Sequence, residues 1–278
     1  MPQNIIEFAK VGDISAISAL LNDNADINET DEDGATSLMW AAREGHEATV
    51  RLLLSREANP FLTDNHGENA ITWAAVCGNT TIADMLREKR VPVTLMASSL
   101  LGDTTAVESM VRHGANVNDK NRHGTTPLLW AVQGGHIDTV LALYRLGADL
   151  NAHDEFGNAL LQAAHNGHAG VLVALIKLGL NVNSRCQFGS ALSSASVCNH
   201  AEVVHILLQN GANVNIRDQF GTTALMEAST VGYSNIVEIL LSYGADPYLV
   251  DEDGKTAFDF ALANGHEQIA TMLQNTGE

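Results

Sequence analysis

The stretch Asn121-Arg-His-Gly-Thr-Thr-Pro-Leu-Leu-Trp-Ala-Val-Gln-Gly-Gly-His136, continued by Leu146-Gly-Ala-Asp-Leu-Asn151, determines the fold. Its glycines, Gly124, Gly135 and Gly147, mark three chain reversals, and the apolar residues between the reversals have helical spacing. A threonine followed by proline can cap and start a helix, and glycine is the preferred residue at a left-handed helix end. The stretch therefore predicts a hairpin-like finger, a helix, a turn and a second helix.

This unit recurs along the whole chain. A glycine, usually followed by histidine, marks the turn between the two helices, at Gly12, Gly45, Gly78, Gly102, Gly135, Gly167, Gly232 and Gly265, with Asn199 in the one vacant register. Successive spacings are 33 or 32 residues, except one of 24. One such unit cannot bury enough apolar surface to fold alone, so we expect neighbouring units to stack into one core, with modified units as caps at the two ends.

The pattern resembles the ankyrin repeat, whose T-P-L-H-x-A signature is closest to Thr126-Pro-Leu-Leu-Trp-Ala131. The resemblance implies an all-α solenoid, a stack of about nine helix-turn-helix repeats with β-hairpin-like fingers, in a single domain over 1–278. The expected repeats are 1–30 (N-terminal cap), 31–63, 64–93, 94–120 (without a finger), 121–153, 154–185, 186–217, 218–250 and 251–278 (C-terminal cap).

Two features depart from the family pattern. The signature histidine is replaced throughout, by Met39, Thr72, Met96, Leu129, Leu161, Ser193, Met226 and Asp259, which we expect to weaken hydrogen bonding between finger and helix. The segment 87–94 contains no finger glycine, so the fourth repeat has lost its finger. The missing finger is either a hinge or gap that accommodates a partner, or drift that helix stacking tolerates.

Composition limits the classes of partner. Fifteen basic and 33 acidic residues give a net charge of -18, which repels nucleic acid and anionic membrane surfaces. The start of the chain has no signal-peptide pattern, and no apolar run approaches the length of a membrane span. Three cysteines without a CxxC pair predict neither a disulfide framework nor a zinc site. We expect a monomeric, cytoplasmic protein.

No motif for catalysis is found. Five histidines share the position after the helix-helix turn and belong to the repeat pattern, namely His46, His136, His168, His200 and His266. The other histidines lie in different units and registers, without the spacing of a Ser/His/Asp triad or a metal site. The sequence therefore predicts no enzyme, no metal and no cofactor.

The resemblance implies that a partner lies on a concave surface made of finger tips and first helices. We define the finger tip as the residue before the finger glycine, and three consecutive tips carry Phe156, Phe188 and Phe220. A phenylalanine in a surface turn has no core to enter, so these side chains predict a hydrophobic binding strip. The alternative is a stacked ladder that only rigidifies the fingers. Flanking candidates are Glu155, Gln187, Gln219 and the tip residue His123.

A second aromatic series, Trp40, Trp73 and Trp130, shares one register of the first helices, and Arg43 and Glu44 lie near it. Tryptophan is a frequent anchor at interfaces, although it also packs between helices. The predicted function is a protein-interaction scaffold, adaptor or inhibitor whose partner carries basic patches. The alternative is a ligand- or peptide-responsive solenoid, or a secreted effector that acts on a foreign cell.

Overall fold

The computed structural model describes residues 4–121, 123–186 and 189–275. The described part contains 18 helices and two antiparallel two-stranded sheets. The chain divides into two compact units, Met1–Arg122 (unit 1) and His123–Glu278 (unit 2). In the described residues, no helix combines the length and the apolar character needed to cross a membrane.

Unit 1 is a stack of helix pairs. Odd-numbered helices are the first of each pair, and α1, α3, α5 and α7 pack in that order in one layer, while α2, α4 and α6 pack in the other. The core between the layers includes Ile17, Leu38, Leu53, Ile71 and Leu86, all at most 2% exposed. The helices are α1 Ile5–Val11, α2 Ile14–Asn22, α3 Ser37–Arg43, α4 Glu47–Ser55, α5 Ala70–Val76, α6 Thr80–Glu88, α7 Leu95–Leu100 and α8 Thr104–Arg112.

Unit 2 repeats this arrangement, with α9, α11, α13, α15 and α17 in one layer and α10, α12, α14, α16 and α18 in the other. Its helices are α9 Pro127–Gln133, α10 Ile137–Arg145, α11 Ala159–His165, α12 Ala169–Lys177, α13 Ala191–Val197, α14 Ala201–Gln209, α15 Ala224–Val231, α16 Ser234–Ser242, α17 Ala257–Ala263 and α18 Glu267–Gln274. Its strands are β1 His153–Asp154 paired with β2 Gly157–Asn158, and β3 Arg185–Cys186 paired with β4 Gly189–Ser190. The predicted all-α stack with hairpin-like fingers is confirmed. The division into nine repeats with the bounds given above stays a prediction.

Each first helix after α1 begins at a capping side chain. In all eight, the side chain of the N-cap residue accepts the backbone N–H three residues further on. Thr94 caps α7, so Ala97 and not Met96 occupies the signature histidine position of the fourth repeat. The expected weakening is wrong at Asp259, whose Oδ2 accepts the Thr256 N–H at 2.8 Å and restores a capping box.

The histidines after the helix-helix turns join neighbouring repeats. Their Nε2 atoms lie 2.8–3.1 Å from a backbone carbonyl of the preceding repeat, in the pairs His46–Lys10, His168–Gln133, His200–His165 and His266–Thr230. The same rings lie against the turn glycines Gly12, Gly135, Gly167 and Gly232, where a Cβ would come within 2.8 Å of the ring. Glycine and histidine are therefore coupled across each of these repeat boundaries.

The fourth repeat is attached to the third without a finger. The Asn69 amide donates to the Pro92 carbonyl at 2.7 Å, the hydroxyls of Thr72 and Thr94 are 3.0 Å apart, and Val91 is buried. These contacts hold α7 against α5 inside unit 1. The two units divide between residues 122 and 123, after this repeat.

Candidate functional site

Five fingers share an aspartate two residues before the tip. Its Oδ1 accepts the N–H of the tip residue at 2.8–3.1 Å and so closes the turn, at Asp31, Asp64, Asp154, Asp218 and Asp251. None of these aspartates is among the predicted site residues. Their signal was present, because an aspartate recurs three residues before the finger glycine.

Backbone hydrogen bonds join successive fingertips. The residue before one tip donates its N–H to the carbonyl of the preceding tip, from Asn65 to Asp33 at 3.0 Å and from Glu252 to Phe220 at 3.0 Å. Glu155 donates to His123 in the same way at 3.3 Å. These fingers are therefore fixed to one another by the main chain.

The two described tip phenylalanines are exposed. Phe156 is 61% exposed and Phe220 is 57% exposed. The Phe156 ring centroid lies 6.4 Å from that of His123, and the two rings are tilted by 49°. Phe188 and Gln187, the other members of the predicted strip on the neighbouring finger, lie outside the described residues. More than half of each described ring thus faces solvent.

The polar residues that flank the strip differ in their contacts: some are paired and others face solvent. Nδ1 of His123 lies 2.5 Å from Oε1 of Glu155, so this pair is held on adjacent fingers. Gln219 is exposed beside Phe220. Of the flanking residues that the structure describes, His123 lies beside Phe156, Glu155 contacts His123, and Gln219 precedes Phe220 in the chain.

The tryptophan register is the fourth residue after the N-cap of each first helix. Trp73 and Trp130 are each 6% exposed, whereas Trp40 is half-buried. The indoles of Trp40 and Trp73 donate to the finger aspartates Asp31 and Asp64 at 2.8 and 3.0 Å. Their rings meet edge to face, with centroids 5.1 Å apart. Packing therefore accounts for the surroundings of these two side chains.

Cations of the same unit cover the tryptophan faces. The Arg43 guanidinium lies 5.1 Å from the Trp40 ring centroid and 5.7 Å from that of Trp73, and the Lys10 ammonium lies 4.4 Å from the Trp40 centroid. Glu44 lies 3.8 Å from Arg43. A partner that binds this face has to displace the cations from the rings or bind on top of them.

On α11 and α13 of unit 2 the smaller side chains Gln162 and Ser194 occupy the tryptophan register, and a groove lies beside them. Its volume is about 460 Å³, within the range of ligand-sized clefts. The floor consists of the buried residues Leu161, Gln162 and Ser194, and the walls include Phe156 and Val197, which is 38% exposed. The other lining residues are polar, namely Gln133, His165 and Asn166.

One pair near the groove has the residue types of a nucleophilic site. The Cys198 sulfur lies 3.4 Å from Nδ1 of His165, a residue 33 positions earlier, so stacking brings together two residues that sequence spacing did not connect. Burial, and to a smaller extent the Glu227 carboxylate, raises the pKa of the Cys198 thiol. The thiol is thus held in its protonated, weakly nucleophilic form. In the described residues, no group of three or more His, Cys, Asp or Glu side chains has the arrangement of a metal site.

Glu227 occupies the tryptophan register of α15, next to Ser194 of α13. Its Oε2 atom is buried and finds no hydrogen-bond partner among the described residues. Burial raises the pKa of this carboxyl to about 7; a hydrogen bond from Ser193 opposes the shift, and the charge of Asp218 adds to it.

The comparison with protein families agrees with the geometry. The model described as ankyrin repeats in three copies matches residues 5–95, 92–154, 146–218 and 195–278. These matches cover almost the whole chain, and repeats of this kind generally mediate protein–protein interaction. The chain therefore belongs to the ankyrin repeat family.

Proposed function

We propose that this protein is a non-enzymatic scaffold, adaptor or inhibitor that captures a partner protein on the finger tips and first helices of unit 2. The observation that carries the proposal is Phe156, which is 61% exposed at the edge of an apolar groove. Repeats of this family are typically non-enzymatic scaffolds. An exposed ring beside a cleft is the usual form of an interface anchor and its pocket.

The site is also preorganised. Asp154 closes the Phe156 finger by accepting the Phe156 N–H at 2.8 Å, and the same oxygen accepts the Gln162 amide at 2.8 Å. The finger and the groove floor are therefore fixed relative to each other before a partner arrives. A rigid site loses little conformational entropy on binding, which favours affinity.

Charge indicates the kind of partner. The net charge of -18 favours a partner with basic patches, because complementary charge accelerates encounter. A cytosolic location is part of the proposal, supported by a content of only three cysteines, an odd number with no paired spacing. Arg43, Glu44 and the exposed part of Trp40 would form a second, weaker contact area in unit 1.

The test is selection of a displayed random peptide library on the immobilised full chain. Peptides selected on the wild type should lose binding at least tenfold to Phe156→Ala, because truncating an interface anchor costs about 2 kcal/mol or more. Tyr248→Ala is the matched control, since Tyr248 is 65% exposed but lies outside the groove lining. Equal binding to all three proteins, or failure to select any peptide, would contradict the proposal.

The variants Phe156→Ala and Phe220→Ala test whether these phenylalanines form a binding strip or a ladder that only rigidifies the fingers. If Phe156 and Phe220 bind a partner, their replacement by alanine should leave the helical circular dichroism and the melting temperature almost unchanged. A ladder that supports the fingers would instead lower the melting temperature. Loss of binding without loss of stability is the expected result.

A further inference from the structure

Glu227 differs from three other residues of its register in its contact with the finger aspartate. In three repeats the side chain in the tryptophan register donates a hydrogen bond to the aspartate of its own finger, from Trp40 to Asp31, from Trp73 to Asp64 and from Gln162 to Asp154, at 2.8–3.0 Å. In the repeat of α15 the equivalent side chain is Glu227 and the finger aspartate is Asp218. An ionised glutamate has no proton to donate, so this repeat has two acceptors where those three repeats have a donor and an acceptor.

Among the described residues, no cation acts on the Glu227 carboxyl. The groups that act on the Glu227 carboxyl are the Ser193 hydroxyl on α13 and the Asp218 carboxylate, and Glu227 itself acts on the Cys198 thiol. The three cations of this finger and the adjoining fingers are engaged elsewhere, and Arg185 of the preceding finger donates to the Arg217 carbonyl at 2.7 Å. Arg217 donates to the carbonyls of Gly221, at 3.0 Å, and Val250, and the Lys255 ammonium lies 3.6 Å from Asp253.

The pair lies next to the groove. Ser194, which forms part of the groove floor, occupies the same register on α13 as Glu227 on α15, and these two helices pack against each other. Adjacent packed helices are about 10 Å apart, which is the span of about three residues of an extended peptide. One short segment can therefore reach both the groove and the two carboxyl groups.

We propose, on the basis of the function proposed above, that Glu227 and Asp218 bind a lysine or arginine side chain of the partner, two to four residues from an apolar side chain that fills the groove beside Phe156 and Val197. The basic group supplies the donor that this register lacks. In its absence a proton on Glu227 takes that place, because burial and the neighbouring charge raise the pKa of the carboxyl to about 7. Binding of the cation then expels the proton.

The peptide selection described above tests this inference with two more variants. Glu227→Gln keeps the size of the side chain and removes its charge, and Glu202→Gln is the matched control, because Glu202 is exposed on α14 and carries the same charge. We expect lysine or arginine to be enriched two to four positions from an apolar residue on the wild type and on Glu202→Gln. On Glu227→Gln the apolar preference should remain and the basic preference should disappear.

Two further measurements use a selected peptide of this pattern. Replacement of its basic residue by methionine should weaken binding to the wild type tenfold or more, and binding to Glu227→Gln less than twofold. Titration calorimetry near pH 7 in buffers of different ionisation enthalpy should detect proton release from the wild type and none from Glu227→Gln.

The outcomes separate this inference from the proposed function. Peptides that depend on Phe156 but show no basic preference, or keep that preference on Glu227→Gln, would overturn the inference and leave the scaffold proposal intact. If no selected peptide depends on Phe156, the proposed function fails as well.

Discussion

At the scale of single residues, the fold depends on residues that contact the neighbouring repeat as well as their own. Gly232 has a φ of 91°, and a Cβ added there would lie 2.5 Å from Cε1 of His266. Gly78 has a φ of 73° in the equivalent turn, but nothing lies within 4 Å of its Cβ position. Asn199 stands in this register with a φ of 59°, and there the next repeat has Tyr233 where histidine is usual. Glycine is thus required for two separate reasons, conformation and the neighbouring ring.

This difference predicts unequal effects of the same substitution. Gly78→Ala should cost about 1–2 kcal/mol, the usual strain of an L-residue in the left-handed region. Gly232→Ala should cost a further 1–3 kcal/mol or so, because the methyl group overlaps the His266 ring. Urea unfolding of the full chain measures both losses, and a double variant with His266→Ala should recover the additional part. Equal losses for the two glycines would contradict the coupling of glycine and histidine.

The raised pKa of the Glu227 carboxyl predicts that the stability of the protein depends on pH. Its pKa is about 7 in the folded chain against an ordinary value of 4.5, so the folded state binds more protons than the unfolded state between these values. The contribution of Glu227 to stability is therefore greatest below pH 4.5 and falls as pH rises through 7. Glu227→Gln should therefore unfold at similar urea concentration to the wild type near pH 4.5, and be more stable by up to about 3 kcal/mol at pH 8.

Glu202→Gln provides the control for this measurement, because it removes the same charge from an exposed position on α14. It should show no comparable gain at pH 8. If Glu227→Gln had the same stability relative to the wild type at both pH values, the carboxyl would not be titrating in this range. A residue that destabilises the free chain and improves binding is typical of a functional site.

At the scale of elements, the sequence predicts much of the helix pattern. Gly135 and Gly147 mark turns that end helices, and Thr126 and Pro127 mark a helix start, because capping and left-handed backbone are local requirements. The sequence alone does not predict the burial of Trp73, because that burial depends on Asp64, on Trp40 of the preceding repeat and on Arg43. Contacts across repeats are not visible in the local pattern.

The contact between Asn69 and the segment before α7 predicts that Asn69 stabilises the fourth repeat. Asn69 caps α5 through Oδ1, which accepts the Thr72 N–H at 3.2 Å, and holds the next repeat through Nδ2, which donates to the Pro92 carbonyl at 2.7 Å. Asn69→Thr keeps a good cap and removes the second bond. It should cost about 0.5–1.5 kcal/mol and accelerate amide hydrogen exchange in α7.

Asn158→Thr is the matched control for this variant, because Asn158 caps α11 in the same way, with the Leu161 N–H at 3.0 Å. It should leave the urea midpoint almost unchanged. An equal loss in both variants would show that threonine is simply a poorer cap in this fold, and that the contact with Pro92 does not hold the fourth repeat.

At the scale of the whole molecule, the class of function could be predicted from the repeat pattern, but only part of the site could. Phe156 and Phe220 were identified because a turn residue has no core to enter, and both are exposed. Glu227 is not among the residues that the sequence predicts to bind a partner. Its significance depends on its burial beside Ser193 and Asp218, which only the stacked structure shows.

The net charge of the chain predicts how salt affects both its stability and its association with a basic partner. A chain with a charge of -18 repels itself when compact, and this repulsion is screened over about 10 Å at 0.1 M salt. Raising sodium chloride from about 0.02 to 0.2 M should therefore increase the urea midpoint of the free protein, while it slows association with a basic peptide from the selection. Stopped-flow fluorescence measures the association rate. Phe156→Ala should change the dissociation rate and keep the salt dependence of association, because the ring contributes no charge. A salt-independent association rate would mean that the acidity of the chain does not guide its partner to the site.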